Sequence, residues 1–348
     1  MTPRDRILAT LDHRPVDRIP LGLDANTGIT ARLFKHFKVN DLLSLYSALG
    51  IDGFSVFNVD YVYPNYIGPK PQTLPDGTST DFFGIRCQHH WSLAFAESVK
   101  DLDDYPWPSA DWFDYSTVKE RCLAIQAKGR PSVGGEGGCG IVHAMNLRGD
   151  EQALLDPYDN PDLAHAYMHR MGDFFVEWNE RWLAAADGHF DIYRCGDDVG
   201  SMLNMHCRPE IWREFYKPQF KRIFAVAKKH GLKIWFHCCG YCRPILPDLV
   251  EIGVDMWDPA PPTVRDNDLP CIKRELGDRL TFVGAVNHPD VLVRGTPSDV
   301  EREVKLRIEQ LSPGGGYILG PAQVLTDDIP VDNVLAMYAA ALRYGGYS

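Results

Sequence analysis

The run Lys233-Ile234-Trp235-Phe236-His237-Cys238-Cys239-Gly240-Tyr241-Cys242 places an imidazole and three thiols within six residues. Histidine nitrogen and cysteine thiolate are ligands that zinc prefers, because the ion is borderline-soft and imposes little geometry of its own. If the apolar half of the run is a strand, side chains two apart share a face. His237 and Cys239 then point together toward one side and Cys238 toward the other. A free cysteine is commonly a small buried hydrophobe, which suits Cys238; for His237 with Cys239, metal ligation is the stronger reading. Cys242 forms a Cys-x-x-Cys with Cys239 and offers a further thiolate ligand or a redox partner. It opens the segment 243–252 and ranks below Cys239. Two ligands do not hold zinc, and a catalytic site takes three with one position open. The third ligand stays open among Asp198, Glu136, Cys242 and, more weakly, Gln323.

Carboxylates supply the other candidate chemistry. Asp197 and Asp198 follow Tyr193-Arg194-Cys195-Gly196. The adjacent pair could share the work of metal ligand, proton acceptor or acceptor for a polar substrate; alternatively one of them caps a helix. Glu136 sits in Gly134-Gly135-Glu136-Gly137-Gly138, where small neighbours let a ligand approach the backbone. Asp198, Asp197 and Glu136 are the candidate catalytic groups. Asp24, Asn58, Asn287 and Gln323 are candidate substrate-binding groups. The aromatic residues Tyr61, Tyr63, Tyr66, Phe82, Phe83, Trp91 and Trp107 could line a pocket, with packing the expected role for most.

These residues need a scaffold that brings them together. Short apolar runs at 19–23, 53–57, 131–135, 190–195, 233–236, 254–257, 280–284 and 317–319 read as strands buried on both faces. Amphipathic segments at 161–186, 209–230, 298–311 and 331–344 lie between or after them, and Pro209 and Gly231 punctuate one helix at its two ends. Repeated strand–helix units in this length predict an α/β fold, a single (β/α)8 TIM barrel over 1–348. A doubly wound sheet is the alternative, and no Gly-x-Gly-x-x-Gly turn follows the first strand to support it. In such barrels chemistry sits at the C-terminal strand ends. There the chain carries Asp24, Asn58, Asp60, Glu136, Asp197, Asp198, His237, Cys239, Asp258, Asn287, His288 and Gln323. The stretch 58–116, with a hairpin-like Asp76-Gly77, reads as an insertion or lid over the mouth.

Composition narrows the class. Of 348 residues, 45% are hydrophobic and 24% charged, as in a soluble protein with a large core. A net charge of −11 without a basic stripe argues against nucleic acid or anionic membrane as partner. No signal region or apolar span is visible, so a cytoplasmic location is expected. Nine cysteines there are expected to be reduced.

Several motifs together resemble the uroporphyrinogen decarboxylase superfamily. They are Pro3-Arg4-Asp5-Arg6-Ile7-Leu8-Ala9 with Arg14-Pro15-Val16-Asp17-Arg18-Ile19-Pro20, Gly196-Asp197-Asp198-Val199-Gly200, and His237-Cys238-Cys239-Gly240 followed by Ile245-Leu246-Pro247-Asp248. The tail Gly314-Gly315-Gly316-Tyr317-Ile318-Leu319-Gly320-Pro321 with Pro330, Asp332 and Asn333 fits as well. The resemblance implies a (β/α)8 barrel and one of two activities. True uroporphyrinogen decarboxylases read their substrate with arginines after the first strand, where this chain has Asp24-Ala25-Asn26-Thr27-Gly28. The closer branch is the cobalamin (corrinoid)-dependent methyltransferases and demethylases. It implies zinc held by a His-x-Cys pair matching His237 and Cys239, and a corrinoid carried by a partner protein. The small-molecule methyl donor or acceptor would be a methoxy or methylthio compound, and a homodimer is an option. Enzymes of that branch acting on coenzyme M have a further cysteine at the last strand, where this chain has Gln323. That departure favours an oxygen-containing ligand set with Asp198 or Glu136. A metal-free decarboxylase of a small acid and a non-catalytic binding barrel are the rival readings.

Overall fold

A computed structural model describes residues 1–53, 60–71, 73, 80–82 and 92–346. Six parallel strands form one sheet in sequence order: β1 (Val133–Gly134), β2 (Ile192–Gly196), β3 (Lys233–His237), β4 (Met256–Asp258), β5 (Thr281–Val286) and β6 (Tyr317–Pro321). The ring is closed by shorter pairings. Leu21 bridges Leu319 of β6, Gly22 bridges Gly53, and Tyr61 bridges Val133 of β1, all in parallel. The result is a closed (β/α)8 barrel of the expected class. Between the strands run helices such as Pro161–Ala185 and Lys217–Lys229, with Pro297–Leu311 and Val331–Tyr344 completing the outer layer. Among the described residues no helix is long and apolar enough to cross a membrane.

The second barrel position includes residues past the expected strand 53–57. The pairing to β1 is made by 60–62, through the amide of Val133 to the carbonyl of Asp60 and the amide of Val62 to the carbonyl of Val133. Of the expected strand 53–57, only Gly53 is among the described residues. Asp60 therefore does not face the mouth. It is buried, and its carboxylate takes two 2.6 Å bonds from Arg130. Within the expected insertion, Asn65–Tyr66 pairs antiparallel with Phe113–Asp114. Phe82 packs among Phe113, Phe174 and Trp178. Asn58, the Asp76-Gly77 turn, Phe83 and Trp91 lie outside the described residues.

The barrel interior has two levels. Alternate residues of a strand face the same side, and Val133, Ile192, Trp235, Met256, Val283 and Ile318 form a separate apolar cluster on the axis. Ile7 and Leu11 of the N-terminal helix Pro3–Leu11 complete it. The helix thus plugs one end. Two residues further along the strands, the inward positions become Arg194, His237 and Asp258. The polar chemistry sits directly on an apolar floor.

The plug is anchored by charge. Asp52 is 1% exposed and accepts from Arg6 Nη1 at 2.5 Å, Arg18 Nη1 at 2.6 Å and the Leu21 amide at 2.9 Å. At a surface, such pairs contribute about 1 kcal/mol or less. Removing one partner of a buried pair costs about 3–5 kcal/mol, because the remaining charge stays desolvated. Asp52→Ala leaves only the half-exposed Asp17 facing Arg6, so burial decides for the larger figure. Denaturant unfolding of Asp52→Ala should show a loss in that range; a loss below about 1 kcal/mol would contradict this account.

Candidate metal centre

Strand register builds the site. Gly196 of β2 pairs with His237 of β3, and His237 pairs with Asp258 of β4. Neighbouring strands lie about 4.8 Å apart, so the side chains of His237 and Asp258 meet directly. The imidazole Nδ1–H donates to Asp258 Oδ2 at 2.7 Å. This fixes the ring and leaves Nε2 facing the axis, 3.9 Å from Asp198 Oδ1. Asp198 is held in turn, accepting the Cys239 amide at 2.8 Å. That bond ties the loop after β2 to the loop after β3. One donor atom each from Asp198, His237 and Cys239 falls within 4.8 Å of the others.

The arrangement suits a metal ion. Ligand atoms around a tetrahedral zinc with bonds of about 2.0–2.3 Å stand about 3.5 Å apart, so small side-chain adjustments would close the cluster. A nitrogen, a sulfur and an oxygen donor converge, and Asp198 is 43% exposed, so the cluster opens to the mouth. Metal-binding histidines usually donate their other ring nitrogen to a carboxylate, as His237 does to Asp258. Burial opposes a charge on this ring, but the bonds and field of Asp258, with help from Cys239, hold its pKa up to about 10. Across the barrel, burial and the nearby Asp258 charge push the Asp24 carboxyl up to about 6.

The remaining candidates separate. Asp197 is buried, and its two oxygens accept the amides of Ile141 and Val142 at 2.8 and 3.0 Å. It caps the helix Ile141–Arg148 and is not presented to the mouth; burial pushes its carboxyl up to about 7. Period two explains the split of the pair: Arg194, Gly196 and Asp198 share the inward side of β2 and its extension, while Asp197 falls on the helix side. Cys242 is also removed from the centre. It is a fully buried free thiol in hydrogen-bond contact with the Cys238 thiol, outside the three-residue cluster. Asn287 uses its side-chain oxygen to cap the turn of helix His288–Val293, bonding the Asp290 amide. Glu136 accepts the Tyr63 hydroxyl at 2.6 Å, and its carbonyl accepts from Tyr193. Gln323 is half-buried just beyond β6.

Two functional candidates carried no assigned role in the sequence reading. Asp258 was one acid among many strand-end acids, and only the β3–β4 register makes it the partner of His237. Arg194 lay inside an apolar strand and gave one signal, a charged residue where a buried strand should have none.

The chain resembles known proteins along its full length. Two relatives, the methylcobamide:CoM methyltransferase MtaA of Methanosarcina barkeri and that of its strain Fusaro / DSM 804, are each 25% identical over 354 residues. The match takes in 99% of this chain and 98% of each relative. The solved structure of a methyltransferase from Methanosarcina mazei superposes with a TM-score of 0.66 at 20% identity, over 99% of both chains, a likeness of fold. The pattern of the uroporphyrinogen decarboxylase (URO-D) family matches residues 96–344, a span that holds β1 to β6 and all three members of the donor cluster. This chain belongs to that family.

Proposed function

We propose that the protein is a methyltransferase in which Asp198, His237 and Cys239 hold a zinc ion. One observation carries the reading: three different donor atoms converge at the mouth, and Asp258 orients the histidine from behind. The relatives named methylcobamide:CoM methyltransferase support the reaction class. They also support a corrinoid, carried by a partner protein, as the other party to the transfer.

When bound, zinc would act as a Lewis acid on the thiol or oxygen atom that gains or loses the methyl group. The chain's own residues do the rest. His237 Nε2, Cys239 Sγ and an Asp198 oxygen would hold the ion, and the exposed side of the cluster faces the mouth. With zinc in place of the Nε2 proton, Asp258 would accept from Nδ1–H and hold Nε2 turned toward the ion. Asp198 is fixed by the Cys239 amide, so the ligands are tied to one another as well as to their strands. The apolar floor below, with Trp235 and Met256, keeps water from approaching from beneath.

Zinc analysis of the purified protein should give about one ion per chain, and His237→Ala or Cys239→Ala should abolish it. Asp258→Ala keeps all three ligands and should weaken zinc binding about 10–100-fold in competition with a chelator. Zinc content at background in the wild type, or unchanged in both ligand variants, would refute the site. The activity is tested separately, with free methylcobalamin or cob(I)alamin as the corrinoid. Zinc-dependent gain or loss of the cobalt-bound methyl group with a thiol or methoxy compound is expected. A protein that binds zinc yet catalyses only release of CO2 from a small acid is a decarboxylase instead.

A further inference from the structure

The ladder between β2 and β3 ends where Gly196 pairs with His237. Asp198 and Cys239 each lie two residues past that pair, so strand pairing does not set their separation. Contacts between the two loops do. The Cys239 amide donates to Asp198 Oδ1 at 2.8 Å, and the Tyr241 amide donates to the Ser201 carbonyl at 2.7 Å. Between these two bonds the backbones of Gly200 and Gly240 touch. A Cβ added to Gly240 would lie 1.7 Å from the Gly200 carbonyl oxygen, and one added to Gly200 would lie 2.6 Å from the Tyr241 carbonyl oxygen.

Neither glycine has a φ in the left-handed region, where the residue would be needed for its own conformation. Both positions instead require the absence of a side chain, because two backbones approach closely there. The obstacle at each is backbone, so no rotamer change relieves it. Non-bonded heavy atoms rest about 3.5 Å apart, so an alanine at 240 forces the loops apart by about 1.5 Å. Each loop is braced on its own side. After β2, Gly200 bridges Met205, the His206 amide donates to the Val199 carbonyl at 2.8 Å, and the Arg265 amide donates to the Met202 carbonyl at 3.0 Å. After β3, the Cys238 amide donates to the Asp258 carbonyl at 2.8 Å, and Trp257 Nε1 donates to the Cys238 carbonyl at 3.1 Å. A forced separation therefore falls between Asp198 and Cys239.

We infer that Gly200 and Gly240 are positioning residues, whose backbone contact sets the spacing of Asp198 and Cys239 and so the affinity of the donor cluster for its metal. Metal–ligand distances are held within about 0.2 Å in a well-formed site, far less than the displacement an added methyl group imposes. The positioning role rests on the metal reading of the cluster; the clamp between the loops rests on their contacts alone.

The test compares Gly240→Ala and Gly200→Ala with the wild type. Zinc affinity is measured by competition with a chelator, and the absorption of the cobalt(II)-substituted protein reports the donor set. Amide exchange in the metal-free protein follows Cys239 and Tyr241. Gly240→Ala should bind zinc about 10-fold or more weakly, with thiolate-to-cobalt absorption reduced. Its Cys239 and Tyr241 amides should exchange about 10-fold or more faster. Gly200→Ala meets its neighbours at longer distances and should show the same changes to a smaller extent. A glycine of merely structural importance would lower the unfolding midpoint of the metal-free protein and leave zinc affinity and the cobalt spectrum unchanged. That result in a folded Gly240→Ala overturns the positioning role, and unchanged exchange of the two amides overturns the clamp. If Gly240→Ala fails to fold, Gly200→Ala decides on the same criteria. A wild type that takes up no zinc, with exchange still accelerated in Gly240→Ala, rejects the metal reading and keeps the clamp. Zinc uptake by the wild type with undiminished affinity in Gly240→Ala does the reverse.

Discussion

The hydrogen bond from His237 Nδ1 to Asp258 joins adjacent strands at the level where the barrel interior turns from apolar to polar. Without it the imidazole could rotate, and Nε2 would not be aimed at the Cys239 and Asp198 side of the opening. The bond exists because β3 and β4 are in a register that pairs these two residues. That register is fixed lower down, where Trp235 and Met256 pair and pack into the axial cluster. A slip of either strand by one residue would turn its own polar group outward into the helix layer and break the pair. The apolar floor thus sets the geometry of the polar mouth.

Period two along the strands accounts for most of the site. On β2 the inward residues are Ile192, Arg194 and Gly196, continuing to Asp198; on β3 they are Trp235 and His237, continuing to Cys239; on β4 they are Met256 and Asp258. Each series begins in the apolar cluster and ends at the opening. The residues of opposite parity serve the outer layer. Asp197 caps the helix Ile141–Arg148, and Cys238 is a buried free thiol hydrogen-bonded with the Cys242 thiol. Gly140 shows how tightly that cap is fitted, since an added Cβ would lie 2.1 Å from the Asp197 carboxyl carbon.

This pattern explains what could be read in advance. The strand–helix alternation and the apolar runs of β2 to β6 are local properties, so the barrel was legible. His237 with Cys239 was legible because spacing within one strand needs no knowledge of its neighbours. Asp258 was not, because its importance depends on which residue of β3 lies beside it. Asn287 read as a substrate-binding group, and Asp197 as either a catalytic group or a cap, because capping and functional residues share the same polar chemistry; only the direction of the nearest helix separates them. At the second barrel position Gly53 pairs with Gly22 where a strand was expected, and the pairing to β1 at 60–62 lies past the apolar run that marked it.

A polar layer buried in a barrel is stable only when its members satisfy one another, and here most do so in pairs. Asp258 takes His237, Glu136 takes Tyr63, Tyr61 bonds the Gly135 carbonyl, and Asp198 takes the Cys239 amide. After these pairings, one donor atom each from His237, Cys239 and Asp198 is left grouped at the opening, within 4.8 Å of the others. A cation entering there would displace the proton that Asp258 helps the imidazole to hold, and Nε2 would then turn its electron pair to the ion. The three donors reach the opening from two loops that follow adjacent strands, so the alternation that packs the apolar floor also aims the groups above it.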